Sequence, residues 1–123
     1  MSFAKYVLKT GSAEMKLSEQ QWHFTSLIPR VIDYAYAEGF TASLRDAYRD
    51  PRATFPYSHP NSMHTKGLAI DLLLFKDGIY LTNSEAYRSC GEYWEGLHPE
   101  CTWGNLKDGN HFSMYAARHG MKF

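Results

Sequence analysis

This chain carries no net charge, no long apolar run and very little cysteine, and each shortage closes off a class of function. Thirteen basic and thirteen acidic residues cancel over 123 positions, so no global field draws the protein to nucleic acid. No stretch reaches the roughly 18 consecutive apolar residues of a membrane span. The N-terminal MSFAKYVLKTGSAEMKL likewise lacks the apolar run of a signal peptide. Synthesis in a cytoplasm, without membrane insertion, is the expectation. Two cysteines, Cys90 and Cys101, are too few for a disulfide framework and form no CxxC pair, so they read as free thiols. No flanking pattern marks either as a nucleophile, and there is no internal repeat or low-complexity tract.

What is present describes a globular chain: 44% apolar, 15% aromatic and 21% charged residues suit one core and one domain over residues 1–123. Ser18 to Gln21 has the form of a capping box. Phe24, Leu27, Ile28, Val31, Ile32 and Ala35 then recur at helical spacing up to a stop at Gly39. Pro29 interrupts this pattern, which predicts a kink near Thr25 or two helices. Phe40, Ala42 and Leu44 alternate with polar residues as a strand would. Arg52 to Met63, with Pro56, Pro60 and no period, reads as a long surface loop.

The run Ala69 to Phe75 is apolar nearly throughout and predicts a central strand covered on both faces. Asp77-Gly78 is a hairpin turn signal leading to Ile79-Tyr80-Leu81. Asn83 or Ser84 can cap a second helix to about Leu97, ended by Pro99, with Tyr87, Trp94 and Leu97 inward. Short strands are expected at Thr102-Trp103 and from His111 to Tyr115. The sum is an α+β fold, a small mostly antiparallel sheet with helices packed on it.

Asp71 is the discordant residue. An ionised carboxylate in an apolar strand is costly unless something positive compensates it, either a basic side chain such as Arg45 or Arg49, or a metal ion. His64 precedes it across a turn containing Gly67, and imidazole and carboxylate are both good zinc ligands. Downstream, His111 offers a third ligand, with Asp108 three residues before it. Three protein ligands with one position left open is the catalytic pattern for zinc, and Asp108 could serve as the base beside it. Taken singly, each feature has a plain explanation: a solvated histidine, an ion pair, a turn at Asp108-Gly109-Asn110.

Ser62-Met63-His64-Thr65-Lys66-Gly67-Leu68-Ala69-Ile70-Asp71 matches the SxHxxGxAxD motif at every fixed position. The chain therefore resembles the zinc D-alanyl-D-alanine carboxypeptidases and L-alanyl-D-glutamate peptidases that cut peptidoglycan stem peptides. Asp108-x-x-His111 looks like the second motif of that family. Gly91 to Glu95 and Thr102-Trp103-Gly104 are similar to its short phage endolysin branch, so the likeness runs over about residues 18–115. It implies a zinc site at the sheet, with His64, Asp71 and His111 as ligands and Asp108 as general acid/base. It also implies an oxyanion-stabilising arginine, for which Arg49 fits better than Arg45. An alternative for Arg49 is a charge partner for Asp46 or Asp50. The shorter Asp108, where many members carry glutamate, points toward endopeptidase activity. No stretch reads as a separate wall-binding domain.

The expectation is a monomeric zinc peptidase acting on peptidoglycan stem peptides at the cell wall, released from the host cytoplasm in phage lysis. A virion-borne enzyme would use the same chemistry. The alternative is a non-catalytic zinc-containing binding domain of the same fold, as in hedgehog proteins, which has no use for a base at Asp108. Trp94 and Trp103 serve either core or substrate groove, His59 borders the cleft, and His23, His98 and His119 are expected at the surface.

Overall fold

The apolar stripe read from the sequence becomes the buried face of helix α1 (Leu17–Ala37), which turns Phe24, Leu27, Val31 and Ala35 inward. The computed structural model describes residues 16–52 and 62–114. The helix starts ahead of the expected cap: Lys16 holds the N-cap position and its N–H donates to Glu19 Oε1 at 3.3 Å, leaving Ser18 inside the first turn. Pro29 does not split the helix. Pro29 and Thr25 both lie on the exposed side, where water can satisfy the Thr25 carbonyl that the proline ring leaves without a donor. At the other end Gly39 adopts φ +93°, its N–H donates to Tyr36 O, and the Phe40 N–H reaches back to Ala35 O at 3.0 Å. That is a Schellman stop, which only a residue at ease with positive φ supports.

Strands β1 (Thr41–Leu44), β2 (Ala69–Lys76), β3 (Ile79–Tyr80), β4 (Cys101–Trp103) and β5 (His111–Met114) form one sheet in the order β1-β2-β5-β4. β3 pairs with the end of β2, and every pairing is antiparallel. Asp77 (φ +53°) and Gly78 (φ +79°) both sit at positive φ in the β2–β3 turn, the backbone twist that a two-residue hairpin prefers. The expected second helix has two parts: a tight 3-10 turn, Ser84–Tyr87, capped by Asn83, and then α2 (Arg88–Glu95), which stops short of Pro99.

β2 is covered on one face, not both. Ile70, Leu72 and Leu74 are buried, whereas Asp71, Leu73 and Phe75 on the opposite face are partly exposed. The core lies between the covered face and the helices and includes Leu27, Trp94, Trp103 and Phe112. Both tryptophans are therefore core. Trp94 donates its indole N–H to Ser113 O at 2.9 Å, and Phe24 and Phe112 each meet its ring edge-on.

His23 and His98, expected at the surface, are buried and meet edge to face with ring centroids 5.0 Å apart. Burial, reinforced by the neighbouring His98, holds the His23 pKa down at about 4, so at neutral pH it packs as an uncharged ring. His59, His119, Tyr115 and most of the Arg52–Met63 loop lie outside the described residues. Cys90 and Cys101 are free and buried, and burial raises both thiols, Cys90 to about 11, which leaves them protonated. No helix among the described residues is long and apolar enough to cross a membrane.

Candidate metal centre

Sheet register brings two of the candidate ligands together before any side chain is considered. Asp71 lies directly opposite His111 across the β2–β5 ladder. The main-chain groups of Asp71 face the other way, its N–H donating to Asp46 O at 2.8 Å and its carbonyl accepting from Arg45 N–H at 3.0 Å. Toward β5 the pair is thus of the non-hydrogen-bonded kind, in which facing side chains come closest. Both project from the face of the sheet opposite the core.

The third candidate comes from the 3-10 turn Met63–Lys66 that leads into β2. Ser62 caps it by accepting the His64 N–H at 3.2 Å, and Gly67 closes it at φ +69°. There a side chain would be strained and its Cβ would crowd Gln21 Nε2 at 3.0 Å. That Gln21 amide donates to Lys66 O at 2.6 Å and ties the turn to α1. The fixed serine and glycine of the motif are thus the start and stop of the turn that aims His64.

The result is a compact triad. The ligand atoms of His64, Asp71 and His111 all lie within 4.8 Å of one another. His64 Nε2 is 3.2 Å from Asp71 Oδ1, and His111 Nδ1 is 3.7 Å from the same oxygen. Ligands about 2.0–2.1 Å from a tetrahedral zinc are about 3.3 Å apart, which this spacing approaches. The donor set passes a stricter test as well. His64 Nδ1 lies 2.8 Å from the Ala47 carbonyl, which can only accept, so Nδ1 carries a proton and the neutral ring has its lone pair on Nε2. Nε2 faces an ionised carboxylate oxygen. Two acceptors in contact require a cation between them or a second proton on the ring.

The protonation balance reflects the same convergence. Burial pulls the His64 imidazole down, but the Asp71 hydrogen bond, the Ala47 carbonyl and the Asp71 charge outweigh it and leave the pKa raised. Burial pushes Asp71 up, yet hydrogen bonds from His111 and His64 and their charges bring it to about 2. Asp108 is raised, first by the water lost from the side of its carboxyl that faces the site and then by the Asp71 charge, with His111, His64 and Arg49 opposing, although the side chain as a whole stays largely exposed.

The remaining candidates lie beside the triad. Asp108 Oδ2 is 3.9 Å from His111 Nδ1, and its side chain is 62% exposed, open to a ligand. Arg49 is largely buried, gives its main-chain N–H to His64 O at 2.9 Å and its guanidinium to Asp46 Oδ2 at 3.1 Å. It therefore is a partner of Asp46 and also sits close enough for its charge to act on His64 and Asp108. Arg45 is exposed and reaches the site only through its main chain. Sequence reasoning missed the Ala47 carbonyl, the group that sets the His64 tautomer. A main-chain acceptor has no residue-type signature, so no sequence signal pointed to it.

A search of protein-family profiles and of curated proteins found no match to this chain.

Proposed function

We propose that the protein is a zinc peptidase that hydrolyses an amide bond in peptidoglycan stem peptides, as an endolysin-like endopeptidase or a carboxypeptidase. The observation that carries the reading is the convergence of His64, Asp71 and His111, with His64 Nε2 3.2 Å from Asp71 Oδ1 and all three ligand atoms within 4.8 Å of one another. The SxHxxGxAxD match supplies the substrate class. His64, Asp71 and His111 would hold the ion, which when bound supplies a Lewis acid for the scissile carbonyl and makes water more acidic.

The chain's own residues do the rest. Asp108 accepts the proton of the attacking water and returns it to the leaving amine. Arg49 opposes the negative charge that grows on the carbonyl oxygen, an effect worth a few kcal/mol when aligned. The Asp46 contact fixes one edge of its guanidinium beside the site.

The deciding experiment digests purified peptidoglycan with wild type and Asp108→Asn, identifies fragments by mass and measures bound zinc in both. Zinc retained with cleavage cut to a slow residual rate in the variant supports the mechanism, and the fragment masses name the bond. Zinc bound with no fragments from several wall types would replace the peptidase with a binding domain of the same fold.

A further inference from the structure

Asp108 has no regular element to hold it. Its backbone, at φ −154° and ψ 67°, ends the short 3-10 turn Asn105–Lys107, and its side chain is largely exposed. A base whose side chain is not packed can be placed only through its main chain, and every main-chain polar group from Asp108 N to Gly109 O has a partner. Asp108 N–H points to Gly104 O and Asn105 O, both at 3.3 Å, and Asp108 O accepts from His111 N–H at 3.0 Å. These are contacts within the loop. The next two are supplied by side chains: Ser84 Oγ accepts the Gly109 N–H at 2.9 Å, and Trp103 Nε1–H donates to Gly109 O at 2.6 Å.

The fit around this grip leaves no spare room. A Cβ on Gly109 would lie 2.6 Å from Ser84 Cα, and one on Gly104 would lie 2.1 Å from Asp108 O. The loop backbone therefore rests directly on the 3-10 turn before α2, and Ser84 reaches it from 25 residues away in sequence.

We propose that Ser84 and Trp103 are positioning residues, which set the Asp108 carboxylate by clamping both main-chain groups of Gly109. The proposal rests on Asp108 acting as the base. The clamp acts on the main chain of Gly109, so releasing it lets the base wander and leaves His64 and Asp71, which stand on other elements, in place. A displacement of about 1 Å at a catalytic group can cost on the order of a hundredfold in rate.

The test uses Ser84→Ala and Trp103→Phe, alone and combined with Asp108→Asn. Two readouts are taken: backbone amide order parameters by NMR, and kcat, KM and bound zinc on peptidoglycan. The clamp predicts that amides 108–110 loosen in each single variant, from about 0.85 toward 0.6, while those of His64 and Asp71 hold. It further predicts a kcat lower by about tenfold or more, with KM and zinc unchanged, and no added loss in the Asp108→Asn background. Amides 108–110 as rigid as in wild type would overturn it, and so would a rate loss that persists in full without Asp108. Should Trp103→Phe not fold, Ser84→Ala carries both readouts. If wild type cleaves no wall material the peptidase reading falls, and the amide measurement alone then decides whether the two residues hold this loop.

Discussion

At the scale of single residues, the centre is a balance between one carboxylate and two imidazoles, and that balance has a pH signature in the metal-free protein. Asp71, lowered to about 2 from 3.8, contributes stability above pH 3.8 that is lost as pH falls through its folded value, on the order of 2 kcal/mol. His64 is raised, so its contribution is complete below 6.5 and fades as pH rises through its folded value. Thermal melts of chelator-treated protein should therefore show the pair's benefit between about pH 4 and 6.5. Zinc affinity should run the other way and climb with pH, because His64 must give up the proton that bridges it to Asp71. Asp71→Asn should abolish stoichiometric zinc while leaving a folded chain, checked by metal analysis beside circular dichroism. Asp71 stood out in the sequence because a charged group in an apolar strand demands compensation, and His64 and His111 through the spacing and motifs around them. The groups that orient them, the Ala47 carbonyl and the Gly109 clamp, did not, since they arise from main-chain atoms that only the assembled fold brings near.

At the scale of elements, periodicity and turn chemistry located the pieces, and local context decided their ends and faces. Helix α1 was foreseen as kinked near Thr25 or split in two, and it runs as one helix through Pro29, whose lost hydrogen bond falls on the wet side. Pro29→Ala should restore that bond and raise stability by about 2 kcal/mol, the proline cost less its entropic benefit in the unfolded chain, measurable as a shift in the urea midpoint. The covered-on-both-faces reading of β2 failed for a different reason. Leu73 and Phe75 are apolar without being enclosed, so composition alone could not distinguish a two-sided strand from one whose outer face carries a site. Gly91 gave no sign of its role. A Cβ there would lie 2.1 Å from the Trp103 ring, so Gly91→Ala should cost about 1–3 kcal/mol through overpacking between α2 and β4, again read from denaturant midpoints.

At the scale of the whole molecule, the three candidate ligands come from two distant stretches joined by the β2–β5 ladder, so the triad exists only in the folded chain. An ion that binds only the folded state stabilises it by mass action, by about 2.7 kcal/mol at a free concentration a hundredfold above Kd. For a chain of this length a chelator should then lower Tm by about 10 °C, and zinc should restore it. The α+β class and the antiparallel sheet followed from the alternation of helical and strand patterns. The strand order did not, because β5 slots between β2 and β4 through pairings that no local pattern encodes.

Trp103 closes the account in another way. Its ring fills the space that a missing methyl group on Gly91 leaves open, and its indole nitrogen holds the loop of the proposed base. Under the proposed mechanism, sturdiness and turnover share one side chain. A laboratory selection for heat resistance that repacks the seam between α2 and β4 would shift the indole and pull the carboxylate with it, and variants chosen for endurance alone should come out slow. Lineages free to drift at most core positions would meet a joint constraint here, with Gly91, Trp103 and Gly109 changing together or not at all.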